Sequence, residues 1–266
     1  MSILANIFEN LRQSGRKAFI PFITAGDGGL DNTEALIFSL AKNGADIIEL
    51  GVPFSDPMAD GPVIAKSHER AVADGVSLAD VLTTVERFRE RNEETGIVLM
   101  GYTNPVEIYG YKAFAERAKE VGVDGVLMVD MPPEEAQDLK KELDDVSIDL
   151  IFLVAPTTTK ERLQQIAGIA SGYIYYVSLK GVTGAGNLDV DSVNHHLSRM
   201  RKYINLPVGV GFGIKDAKTA QKISETADAV IVGSTIVSIV EQLSSDRDKM
   251  VTKVGNLALK ISNAIN

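Results

Sequence analysis

Short runs of apolar residues, rich in branched side chains, recur along the whole chain. They occupy residues 18–24, 46–52, 97–102, 125–130, 148–155, 173–178, 207–212 and 229–233. Runs that are continuously apolar, rather than alternating polar and apolar, are typical of strands covered on both faces. The pattern therefore predicts eight buried strands of a parallel sheet.

Segments between these runs carry apolar residues three or four positions apart, which indicates helices. They cover residues 34–42, 78–91, 111–121, 133–143, 160–169, 190–203 and 216–226, and residues 1–11 have the same spacing. This alternation predicts an α/β fold, a single (β/α)8 TIM barrel domain over residues 1–266 with an N-terminal helix. An open doubly wound sheet is the alternative, although no GxGxxG motif follows the first strand.

Two connections between a strand and the following helix are long. One follows the second strand at residues 53–62, and the other follows the sixth strand at residues 179–188. Loops at the carboxyl ends of the strands carry the active site in barrels of this kind. We therefore expect these two extended βα loops to be working loops or lids.

Composition and charge narrow the classes of function. The chain is 45% hydrophobic and 24% charged, and its net charge of −9 argues against nucleic acid as the main partner. The absence of cysteine excludes disulfides, thiolate catalysis and thiolate metal sites, and is typical of a cytoplasmic protein. No apolar run reaches the roughly 18 residues that a membrane span needs, and no signal peptide is expected.

Glu49 is the most informative residue, because it lies inside the apolar run DIIELGV at residues 46–52. Burying a carboxyl group costs solvation free energy, so some function or partner has to offset that cost. One interpretation is a carboxyl at the barrel mouth, with a raised pKa suited to proton exchange near neutral pH. The other is a side chain that faces outward and pairs with a cation on a helix.

Further polar candidates follow two predicted strands. Asp56 and Asp60 lie in PFSDPMADGP, residues 53–62, where proline and glycine stiffen the loop. Either aspartate is a candidate for chemistry, but aspartate before proline or glycine is also a common turn residue. Tyr175, in YIYYV at residues 173–177, either lines a site or fills the core.

A phosphate site is predicted after the last two strands. Gly211, Phe212 and Gly213 end the seventh strand, whereas Gly233 and Ser234 end the eighth and open an apolar helix. Many barrels bind phosphate at these two loops, where glycine permits close backbone approach and a helix N-terminus favours anions.

Histidine and lysine offer weaker candidates. His68 lies in a predicted helix, and the adjacent His195 and His196 cannot share one helix face, so solvated surface residues are favoured over a metal site. Lys180, just beyond the sixth strand, leaves open a Schiff-base aldolase in a different barrel.

A resemblance to a known family becomes specific at residues 48–62, IELGVPFSDPMADGP, which are similar to the signature of the tryptophan synthase alpha chain family. The similarity continues in order through PFITAGD at 21–27, GYTNP at 101–105, DMPP at 130–133, GVTG at 181–184 and GFGI at 211–214. It therefore covers nearly the whole chain.

The resemblance implies a retro-aldol cleavage of indole-3-glycerol phosphate to indole and glyceraldehyde 3-phosphate. Glu49 and Asp60 would be the catalytic pair, with Tyr175 lining the site and no metal or cofactor in this chain. Residues expected to hold the substrate are Phe22, Met100, Leu127, Val129, Thr183, Gly184, Phe212, Gly213, Gly233 and Ser234. The loop at 179–188 would close over the substrate with Thr183 touching Asp60, although the family often has arginine at the position of Gly186.

The same resemblance implies a partner, the pyridoxal-phosphate beta subunit of an α2β2 assembly, which receives the indole. Family contacts to it correspond to Pro53, Asp56, Asn104 and Pro132, on loops at the barrel mouth. A non-catalytic regulatory partner and a stand-alone lyase are the alternatives, and the presence of both Glu49 and Asp60 argues against the first.

Overall fold

A computed structural model of the protein describes residues 2–178, 190–211 and 213–266. Eight parallel strands pair in chain order, and β1 pairs with β8, so that the sheet closes into a barrel. The strands are β1 Ala18–Thr24, β2 Ile47–Gly51, β3 Gly96–Gly101, β4 Gly125–Met128, β5 Asp149–Val154, β6 Ile174–Val177, β7 Val208–Gly211 and β8 Ala229–Val232. The predicted (β/α)8 barrel is confirmed, and the open sheet is wrong.

Helices pack around the barrel in the described parts of the chain. They are α1 Ile3–Gln13, α2 Leu30–Lys42, α3 Pro62–Ala73, α4 Leu78–Arg89, α5 Thr103–Tyr109, α6 Tyr111–Val121, α7 Gln137–Asp145, α8 Lys160–Ile169, α9 Val190–Met200, α10 Ala217–Ser224, α11 Ser234–Leu243 and α12 Arg247–Ile265. None of these described helices is long and apolar enough to cross a membrane.

Differences between predicted and observed helices have local causes. The helix predicted at 133–143 begins only at Gln137, because the Glu135 N–H donates to the Pro132 carbonyl and closes a turn first. Helices α5 and α12 were not predicted. The α12 signal is present, since Met250, Val254 and Ala258 are buried at intervals of four residues.

Apolar side chains form two layers that follow from the alternation of residues along each strand. The outer layer packs between strands and helices, and the inner layer fills the barrel with residues such as Ile47, Val98 and Leu127. Leu4 and Phe8 of α1 belong to the inner layer. The N-terminal helix is therefore confirmed, and it closes the amino end of the barrel.

Aspartates at the amino ends of the strands tie neighbouring strands together. Asp46 accepts a hydrogen bond from the Phe19 N–H at 2.9 Å. Asp124 accepts one from the Ile97 N–H at 2.8 Å, and Asp228 does the same for Val208. Because these contacts satisfy backbone donors at the end opposite the active-site loops, they serve the fold.

Asp124→Ala should destabilise the protein by about 3 kcal/mol, because it removes the partner of the largely buried Arg89, whose Nη2 lies 2.6 Å from Asp124. Urea unfolding followed by circular dichroism measures the loss. Glu9→Ala, which breaks the exposed ion pair with Arg12, is the matched control and should leave the midpoint unchanged. Equal shifts in both variants would contradict this account.

The long connection after β2 is confirmed, since residues 52–61 separate β2 from α3. All of the predicted loop after β6, residues 179–188, lies outside the described residues, and so do the candidates Lys180, Thr183, Gly184 and Gly186 within it. At the carboxyl end of the barrel, the described residues comprise the β2–α3 connection and the ends of the strands.

Candidate active site

Glu49 points into the barrel. Ile47, two residues earlier in β2, belongs to the inner apolar layer, and alternation along the strand brings Glu49 to the same side. The side chain is fully buried and contacts Tyr173, which is also in the inner layer. The alternative of an outward side chain paired with a helix is therefore wrong.

The two oxygens of the Glu49 carboxyl group differ. Oε1 accepts a hydrogen bond from the Tyr173 hydroxyl at 2.5 Å, whereas the buried Oε2 has no partner among the described residues. Burial raises the pKa of Glu49 to about 8, although the Tyr173 hydrogen bond opposes the shift. At neutral pH the group is therefore mostly a carboxylic acid with one oxygen free to serve a bound molecule.

Glu49→Gln should change how stability depends on pH. The native carboxyl keeps a proton that the unfolded chain releases above its ordinary pKa of 4.5, so wild-type stability falls as pH rises from 4.5 to about 8. The expected slope is about 1.4 kcal/mol per pH unit for this one group. Urea unfolding of both proteins across this range should show the free energy of unfolding of the variant rising relative to that of the wild type as pH increases. Parallel plots of unfolding free energy against pH would contradict the shifted pKa.

Asp60 lies at the end of the β2–α3 connection, directly before Gly61, which caps α3. Its Oδ2 accepts a hydrogen bond from the Tyr102 hydroxyl at 2.8 Å, and His68 Nε2 lies 3.6 Å from the same oxygen. Burial raises the pKa of Asp60, and the Tyr102 hydrogen bond opposes the shift. The Asp60 N–H donates to the Pro57 carbonyl, so the residue forms a turn while its carboxylate contacts Tyr102 and His68.

His68 is buried in α3, so the expectation of a solvated surface residue is wrong for it. Its Nδ1 accepts a hydrogen bond from the Phe54 N–H at 3.2 Å, and burial lowers its pKa to about 4. The described residues contain no group of three or more histidines and acids that could hold a metal ion. The ring is therefore neutral and belongs to the polar cluster around Asp60.

Tyr175 reaches the same space as the two acids. Burial raises its pKa well above the ordinary tyrosine value, and the charges of Glu49 and Asp60 add to the shift. Its hydroxyl occupies the space beside Gly211, where an added Cβ would lie 2.2 Å from it. Glycine at the carboxyl end of β7 thus makes room for the tyrosine, and the structure places Tyr175 with the acids rather than in the outer core.

Residues expected to hold the ring line the inside of the barrel near Glu49. Phe22 pairs directly with Glu49 in the sheet register, and Met100 pairs with Leu127. Leu127 belongs to the inner layer, and Met100 and Val129 pack against it. Phe212, the remaining candidate, lies outside the described residues.

Backbone at the ends of β7 and β8 has the form expected of an anion site. Gly213 is exposed and has φ +79°, a left-handed conformation that favours glycine. Gly233 caps α11, and exposed Ser234 begins it, with no acidic residue in the first turn. The first turn of α11 therefore has neither a capping side chain nor a negative side chain that would compete with a bound anion.

Positions expected to contact a partner are more varied than predicted. Asp56 is exposed on the β2–α3 connection, and Pro132 is half-buried. Asn104 is exposed on α5, so its predicted place in a loop is wrong. Pro53, two residues beyond the end of β2, is buried.

Three polar residues around the acids were missed as site residues in the sequence. Tyr173 has the same inward parity as Tyr175, so strand alternation was a usable signal. Tyr102 follows β3 directly, at the end of the barrel where sites form. For His68 the sequence carries no comparable signal, because the packing of its helix decides whether the side chain faces the barrel or solvent.

Comparisons with known proteins agree over nearly the whole chain. A family model described as tryptophan synthase alpha chain matches residues 8–266. The tryptophan synthase alpha chain of Ruthia magnifica is 67% identical over 265 residues, with all of both chains covered, and that of Paraburkholderia phytofirmans is 55% identical over 92% of this chain and 91% of the relative.

Solved structures give the same result. Tryptophan synthase subunit alpha from Legionella pneumophila superposes with a TM-score of 0.94 at 39% identity, covering 100% of this chain and 98% of that one. A chain from the aminoacrylate-bound form of tryptophan synthase from M. tuberculosis superposes with a TM-score of 0.89 at 32% identity, with all of both chains covered. The chain therefore belongs to the tryptophan synthase alpha chain family.

Proposed function

We propose that Glu49 carries the proton transfers by which this chain splits indole-3-glycerol phosphate. As a member of its family the chain is a lyase that releases indole and glyceraldehyde 3-phosphate. The observation that carries the assignment is the buried carboxyl inside the barrel, whose Oε2 has no described partner. Such a group has the protonation state and the free oxygen that the reaction needs.

The reaction is difficult because an indole carbon has to leave as a carbanion equivalent. Protonation of C3 of the ring removes that difficulty, since the resulting indolenine accepts the bonding electrons as the C–C bond breaks. Glu49, a carboxylic acid at neutral pH because of its pKa of about 8, donates this proton. The carboxylate then accepts the hydroxyl proton of the glycerol chain, which restores the acid for the next turnover.

Asp60 is proposed to act as a carboxylate, whereas Glu49 acts as a carboxylic acid. Positive charge develops on the ring when C3 is protonated, and a nearby carboxylate stabilises that charge. Oδ2 of Asp60 already accepts from Tyr102, so Oδ1 is left to accept the ring N–H. Tyr175, close to both acids, lines the same space.

The two acids together predict a bell-shaped dependence of kcat/KM on pH. Glu49 has to be protonated, so the rate should fall above pH 8, where the native carboxyl loses its proton. Asp60 has to be ionised, so the rate should also fall at low pH. Because burial raises the pKa of Asp60, this fall should begin at a higher pH than the titration of an exposed aspartate. Initial rates of indole release measure both limbs, and a flat profile through pH 8 would contradict the Glu49 assignment.

The phosphate of the substrate is proposed to bind at the ends of β7 and β8. The uncapped N-terminus of α11 and the backbone at Gly213 and Gly233 suit an anion, and the exposed Ser234 hydroxyl adds a donor. Phe22, Met100 and Leu127 line the apolar space that suits the indole ring. Thr183 and Gly184 belong to the loop proposed to close over the substrate.

A beta subunit that carries pyridoxal phosphate is the proposed partner, in an α2β2 assembly, and this chain is proposed to need no cofactor. Met58 on the β2–α3 connection and Ile108 on α5 are each 83% exposed, and they neighbour the proposed contacts Asp56 and Asn104 in sequence. Large apolar side chains exposed beside the site suit a protein contact. Docking there would couple partner binding to the connection that holds Asp60.

The experiment is to mix the purified chain with indole-3-glycerol phosphate, with and without a beta subunit, and to assay indole. Release that increases when the beta subunit is added supports both proposals. Equal release in both samples indicates a stand-alone lyase, and no release in either indicates a regulatory partner. Borohydride reduction with labelled substrate should leave no label on the protein, whereas retained label would indicate a Schiff base on Lys180.

A further inference from the structure

His68 lies beside Asp60, and Nε2 is the ring nitrogen that approaches the carboxylate. Burial lowers its pKa to about 4, so the ring is neutral near physiological pH. Its Nδ1 accepts the Phe54 N–H, and a neutral imidazole that accepts at one nitrogen carries its proton on the other. The ring proton is therefore on Nε2, the nitrogen that lies 3.6 Å from Asp60 Oδ2.

The separation of 3.6 Å is just beyond hydrogen-bonding distance, and a shift of roughly 0.5 Å would close it. The same Oδ2 already accepts from the Tyr102 hydroxyl. Two donors on one oxygen would fix the rotation of the carboxylate. Oδ1, which has no hydrogen-bond donor among the described residues, would then be left to accept from a bound molecule.

His68 and Tyr102 together contact both ends of the β2–α3 connection. Phe54, near its start, donates its N–H to the ring and stacks on Tyr102 with ring centroids 4.9 Å apart. Near the other end, the Ala59 N–H donates to the Tyr102 hydroxyl at 3.0 Å. Phe54, His68, Tyr102 and Asp60 thus form one cluster of contacts.

We propose that His68 is a positioning residue for Asp60, whose Nε2–H donates to Oδ2 when substrate is bound and so holds Oδ1 towards the ring N–H. The proposal rests on the role proposed for Asp60. A neutral donor is suited to this task, because it stabilises the carboxylate without cancelling the negative charge that stabilises the protonated ring.

Three substitutions separate the two contacts of His68. His68→Phe keeps a ring but removes both, and His68→Asn keeps an acceptor for Phe54 but is too short to reach Asp60. His68→Gln restores an N–H at the position of Nε2. We expect the Phe and Asn variants to lose roughly tenfold in kcat with little change in KM, and Gln to recover most of it. His195→Phe, an exposed histidine in α9, is the control and should have wild-type kinetics.

The pH profile distinguishes positioning from packing. Groups that face Asp60 from the elements packed around it are Tyr102 after β3, His68 in α3 and Tyr175 in β6, with Asp130 beyond Tyr102. Loss of the His68 donor should raise the pKa of Asp60 and move the low-pH limb of kcat to higher pH. An unshifted limb in His68→Phe would overturn the proposal.

A double-mutant cycle completes the test. If His68 acts through Asp60, His68→Phe should cause no further loss of kcat in an Asp60→Asn background, whereas additive losses would overturn the positioning role. Thermal unfolding of each variant shows whether it folds, and His68→Gln provides the comparison if the Phe variant does not. Wild-type kinetics of Asp60→Asn alone would instead refute the role proposed for Asp60, so the two failures are distinguishable.

Discussion

Glu49→Gln should bind indole-3-glycerol phosphate and release almost no indole. The substitution keeps the shape of the side chain and the acceptor for the Tyr173 hydroxyl, but it removes the proton that is given to C3 of the ring. General acid and base catalysis contributes about 10² to 10⁴-fold, and one group here supplies both steps, so we expect a loss of kcat of at least about 10³-fold. Single-turnover assays of indole release measure it.

Binding is the control for this variant. Calorimetric titration with a non-cleavable analogue of the substrate should give a Kd close to that of the wild type, because the amide leaves the proposed phosphate and ring contacts intact. Cleavage that persists near the wild-type rate would refute Glu49 as the proton carrier. Loss of binding together with activity would show instead that the carboxyl shapes the site.

Asp60→Asn should lower turnover far more than it weakens substrate binding. Asparagine can still accept the ring N–H, but it carries no negative charge to stabilise the protonated ring, which exists only after proton transfer. We expect kcat to fall about 10²-fold and KM to change by less than about threefold. Steady-state kinetics of indole release separate the two parameters.

The same connection supplies a matched control. Asp56→Asn makes the same chemical change four residues earlier, at an exposed side chain whose hydrogen bond is to the neighbouring Ser55. It should leave kcat of the isolated chain unchanged. A comparable loss in both variants would mean that the loop, rather than the charge of Asp60, is responsible.

The barrel architecture is predictable from the sequence because its strands and helices keep distinct hydrophobic periodicities. Continuous apolar runs predicted all the strands, since both faces of each strand are covered, and β1 has the predicted bounds. Helix starts were less predictable where tertiary turns intervene, as before Gln137. Short α5 carries too little periodicity to be distinguished from a loop.

The candidate site was predictable in part, since a carboxyl in an apolar strand is a strong signal and Glu49 proved to be inside. The resemblance to a family, rather than spacing, distinguished Asp60 from an ordinary turn residue. The partners of the two acids were missed, because the Tyr173 hydrogen bond to Glu49 joins residues 124 positions apart. His68 was interpreted as a surface residue, since its burial depends on how α3 packs and not on the local sequence.

The protonation state of Glu49 is the quantity on which the account depends. Infrared difference spectra of the wild type against Glu49→Gln, recorded across a pH titration, isolate the carbonyl stretch of this one protonated carboxyl. We predict that the band is present at neutral pH and disappears with a midpoint near pH 8, the pKa of the buried group. A band already absent at neutral pH, with a midpoint near the ordinary value of 4.5, would contradict Glu49 as the acid that protonates the ring.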